Sequence, residues 1–187
     1  MKAAKRLMVA FAGCAAVLTG AALAETKVEV KKTHVCCPQC EKAVAKVLEK
    51  AGVKGAASKD DGKITFEAAD DKAAQKVLDE LAAAGFHGDT GNKDIKIKDD
   101  SGVKEGKVTT LTLKGAHNCC PACNAAIKKA LKKVDGVESD DAKPKSETLT
   151  VTGNFDGLAV VKALNEAGFH ATLPKKDKKD EDKPKDK

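Results

Sequence analysis

Every histidine in the 187-residue chain, and every cysteine beyond Cys14, belongs to a constellation written out twice. The first copy is His34, Cys36, Cys37, Cys40 and His87. The second is His117, Cys119, Cys120, Cys123 and His170, each 83 positions further on. The surrounding text repeats as well. His34-Val35-Cys36-Cys37-Pro38-Gln39-Cys40 answers His117-Asn118-Cys119-Cys120-Pro121-Ala122-Cys123, and Ala84-Gly85-Phe86-His87 answers Ala167-Gly168-Phe169-His170. Such a repeat constrains the fold to one supersecondary unit used twice. Soft-ligand residues confined to two matched clusters point to thiophilic metal or thiol chemistry.

The register extends beyond the cysteines. Val28 and Val30 alternate as in a short strand and correspond to Leu111 and Leu113. After each cysteine loop, Val44, Val47, Leu48 and Ala51 are answered by Ile127, Ala130, Leu131 and Val134. Further on, Val77, Leu78 and Leu81 are answered by Val160, Val161 and Leu164. These spacings predict two amphipathic helices per copy. Between them, Val53 to Ser58 leads through Lys59-Asp60-Asp61-Gly62 into Lys63 to Glu67, and Val137 to Asp141 leads through a Pro144-containing turn into Thr148 to Thr152. Each Gly-Phe-His is expected to end a helix at its glycine and open a last short strand.

The order per copy is β-α-β-β-α-β, the split βαβ pattern. The fold class expected is α+β: two ferredoxin-like βαββαβ domains in tandem, each a four-stranded antiparallel sheet with two helices on one face. The domains occupy 25–90 and 107–173. A linker at 91–106, rich in Gly, Asp and Lys, joins them, and Ile95 and Ile97 could add a brief strand there. Residues 174–187, almost entirely Lys, Asp, Glu and Pro, form a charged tail with too little apolar surface to order.

Residues 1–24 read as a signal peptide. Lys2, Lys5 and Arg6 precede an apolar stretch from Leu7 to Leu18, and Ala22-Leu23-Ala24 supplies a small-x-small cleavage site. The apolar run is too short for a membrane span. The expectation is an exported protein, periplasmic or extracellular. Phe11-Ala12-Gly13-Cys14 offers the alternative of a lipid anchor through Cys14. That leader holds three of the chain's 34 basic residues, so the remainder is nearly balanced against 28 acids. Lysines are interleaved with acids, and Trp and Tyr are absent. Nucleic-acid binding therefore has no footprint.

Strand, Cys-x-x-Cys and helix in that order make a specific arrangement. Pro38 and Pro121 suit a first helical position, which puts Cys37 and Cys120 at the loop-to-helix junction and Cys40 and Cys123 in the first turn. The positive helix end there favours thiolate. Paired thiolates on an exposed loop suit Cu(I) or Hg(II) rather than hard cations.

On these residues each copy resembles a heavy-metal-associated domain, the fold of copper chaperones, of N-terminal modules of metal-transporting P-type ATPases and of periplasmic mercury-binding proteins. The family motif is Gly-Met-x-Cys-x-x-Cys, and the resemblance implies that Cys37, Cys40, Cys120 and Cys123 are the primary ligands. It also implies that Gly85-Phe86 and Gly168-Phe169 lie in a loop packed beside the metal loop. The family's Met, which buries under that loop, is Val35 or Asn118 here. Its Gly is His34 or His117, and its variable position is Cys36 or Cys119. Those extra Cys and His residues are further candidate ligands, and a Cys₂His or Cys₃ set would widen the choice towards Zn(II). His87 and His170 are the outlying candidates, able to reach the site or turn away along the strand.

The function expected is an exported soft-metal-binding protein, not an enzyme, that buffers, scavenges or transfers Cu(I) foremost, or Hg(II) or Zn(II). Its partners would be metal ions and another metal-transfer protein or transporter. The rival is a thiol-disulfide oxidoreductase using the Cys-Pro-x-Cys pairs. It is disfavoured because each unit lacks the extra βα element and a proline before the final strand. The third reading is a structural module in which disulfides stabilise two small domains.

Overall fold

The structure, a computed structural model, describes residues 25–174. The segment expected to be a signal peptide, with Cys14, and the charged tail beyond Pro174 lie outside the described residues. The same element order occurs twice. The first copy runs β1 (Thr26–Val30), α1 (Pro38–Lys50), β2 (Lys54–Ser58), β3 (Lys63–Ala68) and α2 (Asp71–Ala83). The second runs β4 (Lys107–Lys114), α3 (Pro121–Leu131), β5 (Val137–Asp140), β6 (Thr148–Asp156) and α4 (Gly157–Glu166).

Each sheet is antiparallel, ordered β1-β3-β2 and β4-β6-β5. Alternation decides which face is buried. Val28 pairs with Phe66 and Val30 with Ile64; in the second copy Leu111 pairs with Val151 and Leu113 with Leu149. All eight side chains are buried, and with them Val44, Leu48, Val77, Leu78 and Leu81 from the first pair of helices, and Ile127, Leu131, Val160, Val161 and Leu164 from the second. Val47 and Ala51, the remaining members of the first predicted stripe, are only partly buried at its edge. Asp70 and Asp156 cap α2 and α4, accepting from the backbone N–H of Ala73 and Ala159, where each satisfies a donor the helix leaves unpaired.

The four-stranded sheets expected from the sequence are three-stranded, and the reason lies in the segments that leave α2 and α4. The segment after α2 meets its own sheet only at the bridge Lys31↔Asp89, beside β1. Its counterpart after α4 meets the second sheet only at Lys114↔Thr172. The residues that would lengthen those pairings are paired with each other across the repeat, Phe86 bridging Phe169. The His87 N–H donates to Gly168 O and the His170 N–H to Gly85 O, both at 3.0 Å. Backbone groups used in this seam are not free to extend a ladder.

The seam needs its glycines. Gly85 has φ +86°, and a Cβ there would lie 2.1 Å from Gly115 O; Gly168 has φ +87°, and a Cβ there would lie 2.2 Å from the His34 nitrogen. Phe86 and Phe169, both fully buried, fill the space behind them, each contributing about 2–3 kcal/mol of apolar burial. The buried side chains of both copies join into one continuous core.

Residues 92–106 hold no helix or strand, so Ile95 and Ile97 form no strand there, but both are buried. This stretch is tied to α2 through Gln75, which exchanges hydrogen bonds with Lys96, and to α4 through Asn165, which donates to Asp99.

Candidate metal centre

Pro38 and Pro121 open α1 and α3, and Cys37 and Cys120 are the N-cap residues, in extended backbone with no side-chain cap hydrogen bond. A serine or aspartate here would use its oxygen to cap the helix. The sulfurs are instead left to face outward near the positive helix end. One turn in, Cys40 and Cys123 are completely buried. The loops are held from below. Val35 is buried where the resemblance places a methionine. Asn118, also buried, donates to Asn124 Oδ1 at 3.1 Å and Lys143 O at 2.9 Å. An apolar plug supports one loop and a hydrogen-bonded amide the other.

The seam brings the two loops face to face, so that all six sulfurs converge. Within the loops, Cys37 lies 3.5 Å from Cys40, and Cys120 lies 3.6 Å from Cys123. Across them, Cys119 lies 3.6 Å from both Cys37 and Cys40. Cys36 lies 3.7 Å from Cys120 and 3.5 Å from Cys123. The extra cysteine of each copy thus completes a three-sulfur set with the other copy's Cys-x-x-Cys pair. Cys40 and Cys123, equivalent positions of the two copies, meet at 3.8 Å. All six are free thiols.

Two imidazoles flank the sulfurs. His34 stacks on Phe169 at 4.5 Å between centroids and His117 on Phe86 at 4.4 Å, again across the repeat. Both Nε2 atoms are buried without a hydrogen-bond partner. A ring nitrogen of His34 lies within 4.8 Å of the Cys36 and Cys123 sulfurs. His87 and His170 belong to none of the close ligand sets found among the described residues. They stack on one another at 5.9 Å, with His87 Nε2 3.5 Å from Asp99 and His170 Nε2 3.0 Å from Asp100.

Crowding sulfurs together separates their protonation. The hydrogen bond from Cys123 holds Cys40 far below the ordinary thiol range, and that same contact, with burial, pushes Cys123 up. The two occupy equivalent positions, so these opposed shifts belong to the pair and not to either sulfur alone. Burial pushes Cys36 up to about 12 and raises Cys119 likewise. Burial also works against the Cys120 thiolate, yet hydrogen bonding with the Cys123 backbone and side chain carries it down to about 7. Burial lowers His34, keeping its imidazole neutral and able to donate a lone pair. Thiolates with a neutral imidazole beside them form a soft donor set.

The sequence pattern located the donors but gave no sign that Cys36 and Cys119 cross over, because that depends on how the copies dock. The partners of the outer histidines, Asp99 and Asp100, sit in the segment that read as a linker. The repeated Gly-Phe was the available signal for the seam: a small residue beside a large one, twice, outside any helical stripe.

Residues 112–170 match the family model of the heavy-metal-associated domain. The chain is 40% identical over 68 residues to heavy metal-associated isoprenylated plant protein 34 of Arabidopsis thaliana. It is 36% identical over 67 residues to protein 36 of that series, and 31% identical over 74 residues to protein 37. These matches cover 36%, 36% and 40% of this chain but only 11%, 19% and 20% of the respective relatives. Among solved structures, the N-terminal soluble domains of Bacillus subtilis CopA align over 82% of this chain and 97% of that one, at 17% identity and a TM-score of 0.31.

Proposed function

We propose that this chain, which carries a heavy-metal-associated domain over residues 112–170, is an exported binder of soft metal ions, Cu(I) foremost, with Hg(II) and Zn(II) as the other candidates. Its task is to buffer, scavenge or hand on the metal, not to catalyse a reaction. The observation that carries this reading is the convergence of six free thiols at the N-termini of α1 and α3. Metal arrives as an incoming thiolate of a donor protein is displaced by a resident one, and leaves by the reverse exchange. Cys37 and Cys120, the more exposed member of each pair, are the natural points of entry. A metal-transfer protein or transporter is the fitting partner. Export is supported by the basic, apolar and small-residue layout of residues 1–24. No helix among the described residues is long and apolar enough to cross a membrane.

The test is Cu(I) binding to the reduced full chain, measured by competition with a chromophoric chelator, before and after Cys37→Ser plus Cys120→Ser. Serine is a better N-cap than cysteine, so the variant should fold as well as the parent while losing tight binding. Undiminished affinity would remove these thiols from the site.

A further inference from the structure

Resting on the soft-metal reading of the site, we infer that the two copies do not hold one ion each but build a single six-thiolate cage for a polynuclear Cu(I) cluster, with Cys36 and Cys119 as bridging ligands. Nine sulfur pairs lie between 3.5 and 3.8 Å. Cys36–Cys37, Cys37–Cys120 and Cys119–Cys120 lie within 4.8 Å. The pairs outside these close sets are Cys36 and Cys119, Cys37 and Cys123, and Cys40 and Cys120. Each sulfur thus has one opposite number, and the six form the corners of a distorted octahedron.

That shape selects the metal geometry. Any four corners of an octahedron include an opposite pair, so no four of these sulfurs make the regular tetrahedron that a structural zinc site requires. Its triangular faces, by contrast, suit a trigonal soft ion. A metal–thiolate bond of about 2.3 Å, the zinc value, at the centre of a sulfur triangle implies edges of about 4 Å, close to those observed. The sets Cys36-Cys37-Cys40, Cys37-Cys119-Cys120, Cys40-Cys119-Cys123 and Cys36-Cys120-Cys123 are alternating faces of the cage. Every sulfur belongs to two of them, so each thiolate bridges two ions. Loading exchanges thiol protons for Cu(I) without moving an electron: each remaining S–H gives its proton to water as its S–Cu bonds form. Monovalent ions on six thiolates leave the cage only a small negative charge.

The seam supplies the rest of what such a cage needs. Phe86 and Phe169 are fully buried beside it, His34 and His117 lie against them, and Cys40 and Cys123 have no exposed surface. The buried corners are Cys40 and Cys123, while Cys36, Cys37, Cys119 and Cys120 are partly exposed and leave the cage open to an incoming ion.

The experiment is anaerobic titration of the reduced full chain with Cu(I), supplied as its acetonitrile complex, followed by native mass spectrometry and emission spectroscopy. The expected result is a jump from the metal-free protein to about four Cu(I) per chain, one per alternating face, with intermediate loadings sparse. It should carry the long-wavelength emission of Cu(I)–thiolate clusters shielded from water. Cys36→Ser plus Cys119→Ser should cut the loading to about two ions, one per Cys-x-x-Cys pair, and abolish the emission. Stepwise binding of two ions by the parent, without emission and unaltered by the double substitution, would overturn the cage and leave the soft-metal reading standing. Failure of the parent to retain any Cu(I) would overturn both.

Discussion

The sulfur of Cys36 lies 3.5 Å from that of Cys123, 87 positions along the chain, and 3.8 Å from that of Cys40 in its own loop. Its counterpart Cys119 is likewise 3.6 Å from Cys40 and 3.7 Å from Cys123. Each extra cysteine therefore belongs at least as much to the opposite copy as to its own. This relationship turns two similar motifs into one centre, and it depends on the backbone seam that holds the loops in register.

The seam should be sensitive at Gly85, whereas Gly91, outside the seam, should tolerate a side chain. Gly85→Ala places a Cβ against Gly115 O and the His117 nitrogen at positive φ, whereas Gly91, also at positive φ, has nothing within 4 Å. Gly91→Ala should cost only the left-handed backbone penalty, about 1–2 kcal/mol. Gly85→Ala should cost that plus the displacement of the opposing loop, about 3 kcal/mol or more. Urea unfolding of both variants measures the difference. Equal losses would mean that the close approach at Gly85 does not exist in solution.

His34 contributes a stacked ring but leaves its Nε2 buried and unpartnered in the metal-free protein. His34→Phe keeps a ring against Phe169 and removes the orphaned atom. Metal-free stability should stay level or rise by about 1 kcal/mol, as read from denaturant midpoints. A loss beyond about 2 kcal/mol would show that the imidazole is hydrogen-bonded after all.

Acid should weaken the metal-free fold partly through His87. Burial lowers its pKa from the ordinary 6.5, Asp99 opposes that shift, and His170 adds to it. A group depressed in the folded state gives its full stability above the unfolded value and loses it as pH falls through the folded one. Thermal midpoints of the parent should therefore drop below about pH 6.5. His87→Gln should flatten the slope without abolishing it, because burial depresses His34 in the same direction. Parallel pH profiles for parent and variant would exclude His87 as a contributor.

Much of the fold was legible because short-range physics wrote it. Alternation at Val28 and Val30, the helical stripes, and Pro38 and Pro121 at first helical positions all arise within a few residues, and each element stands where its pattern put it. The last strand of each copy was not legible. Whether Phe86 to Asp89 extends a sheet or pairs with Phe169 depends on a docking partner 83 residues away. The same holds for the site. Spacing placed Cys37 and Cys40 together, while the position of Cys119 beside them is a tertiary fact that no local pattern carries.

The claim that both copies share one centre can be tested without metal. The reduced chain is treated with a short bifunctional thiol reagent, digested, and its linked peptides are identified by mass spectrometry. Links should join the two loops, Cys37 to Cys119 and Cys36 to Cys120, alongside the within-loop pairs, since all these sulfurs lie 3.5–3.8 Å apart. Links confined to single loops, Cys37 to Cys40 and Cys120 to Cys123, would show that the copies stand apart and that the shared centre does not form.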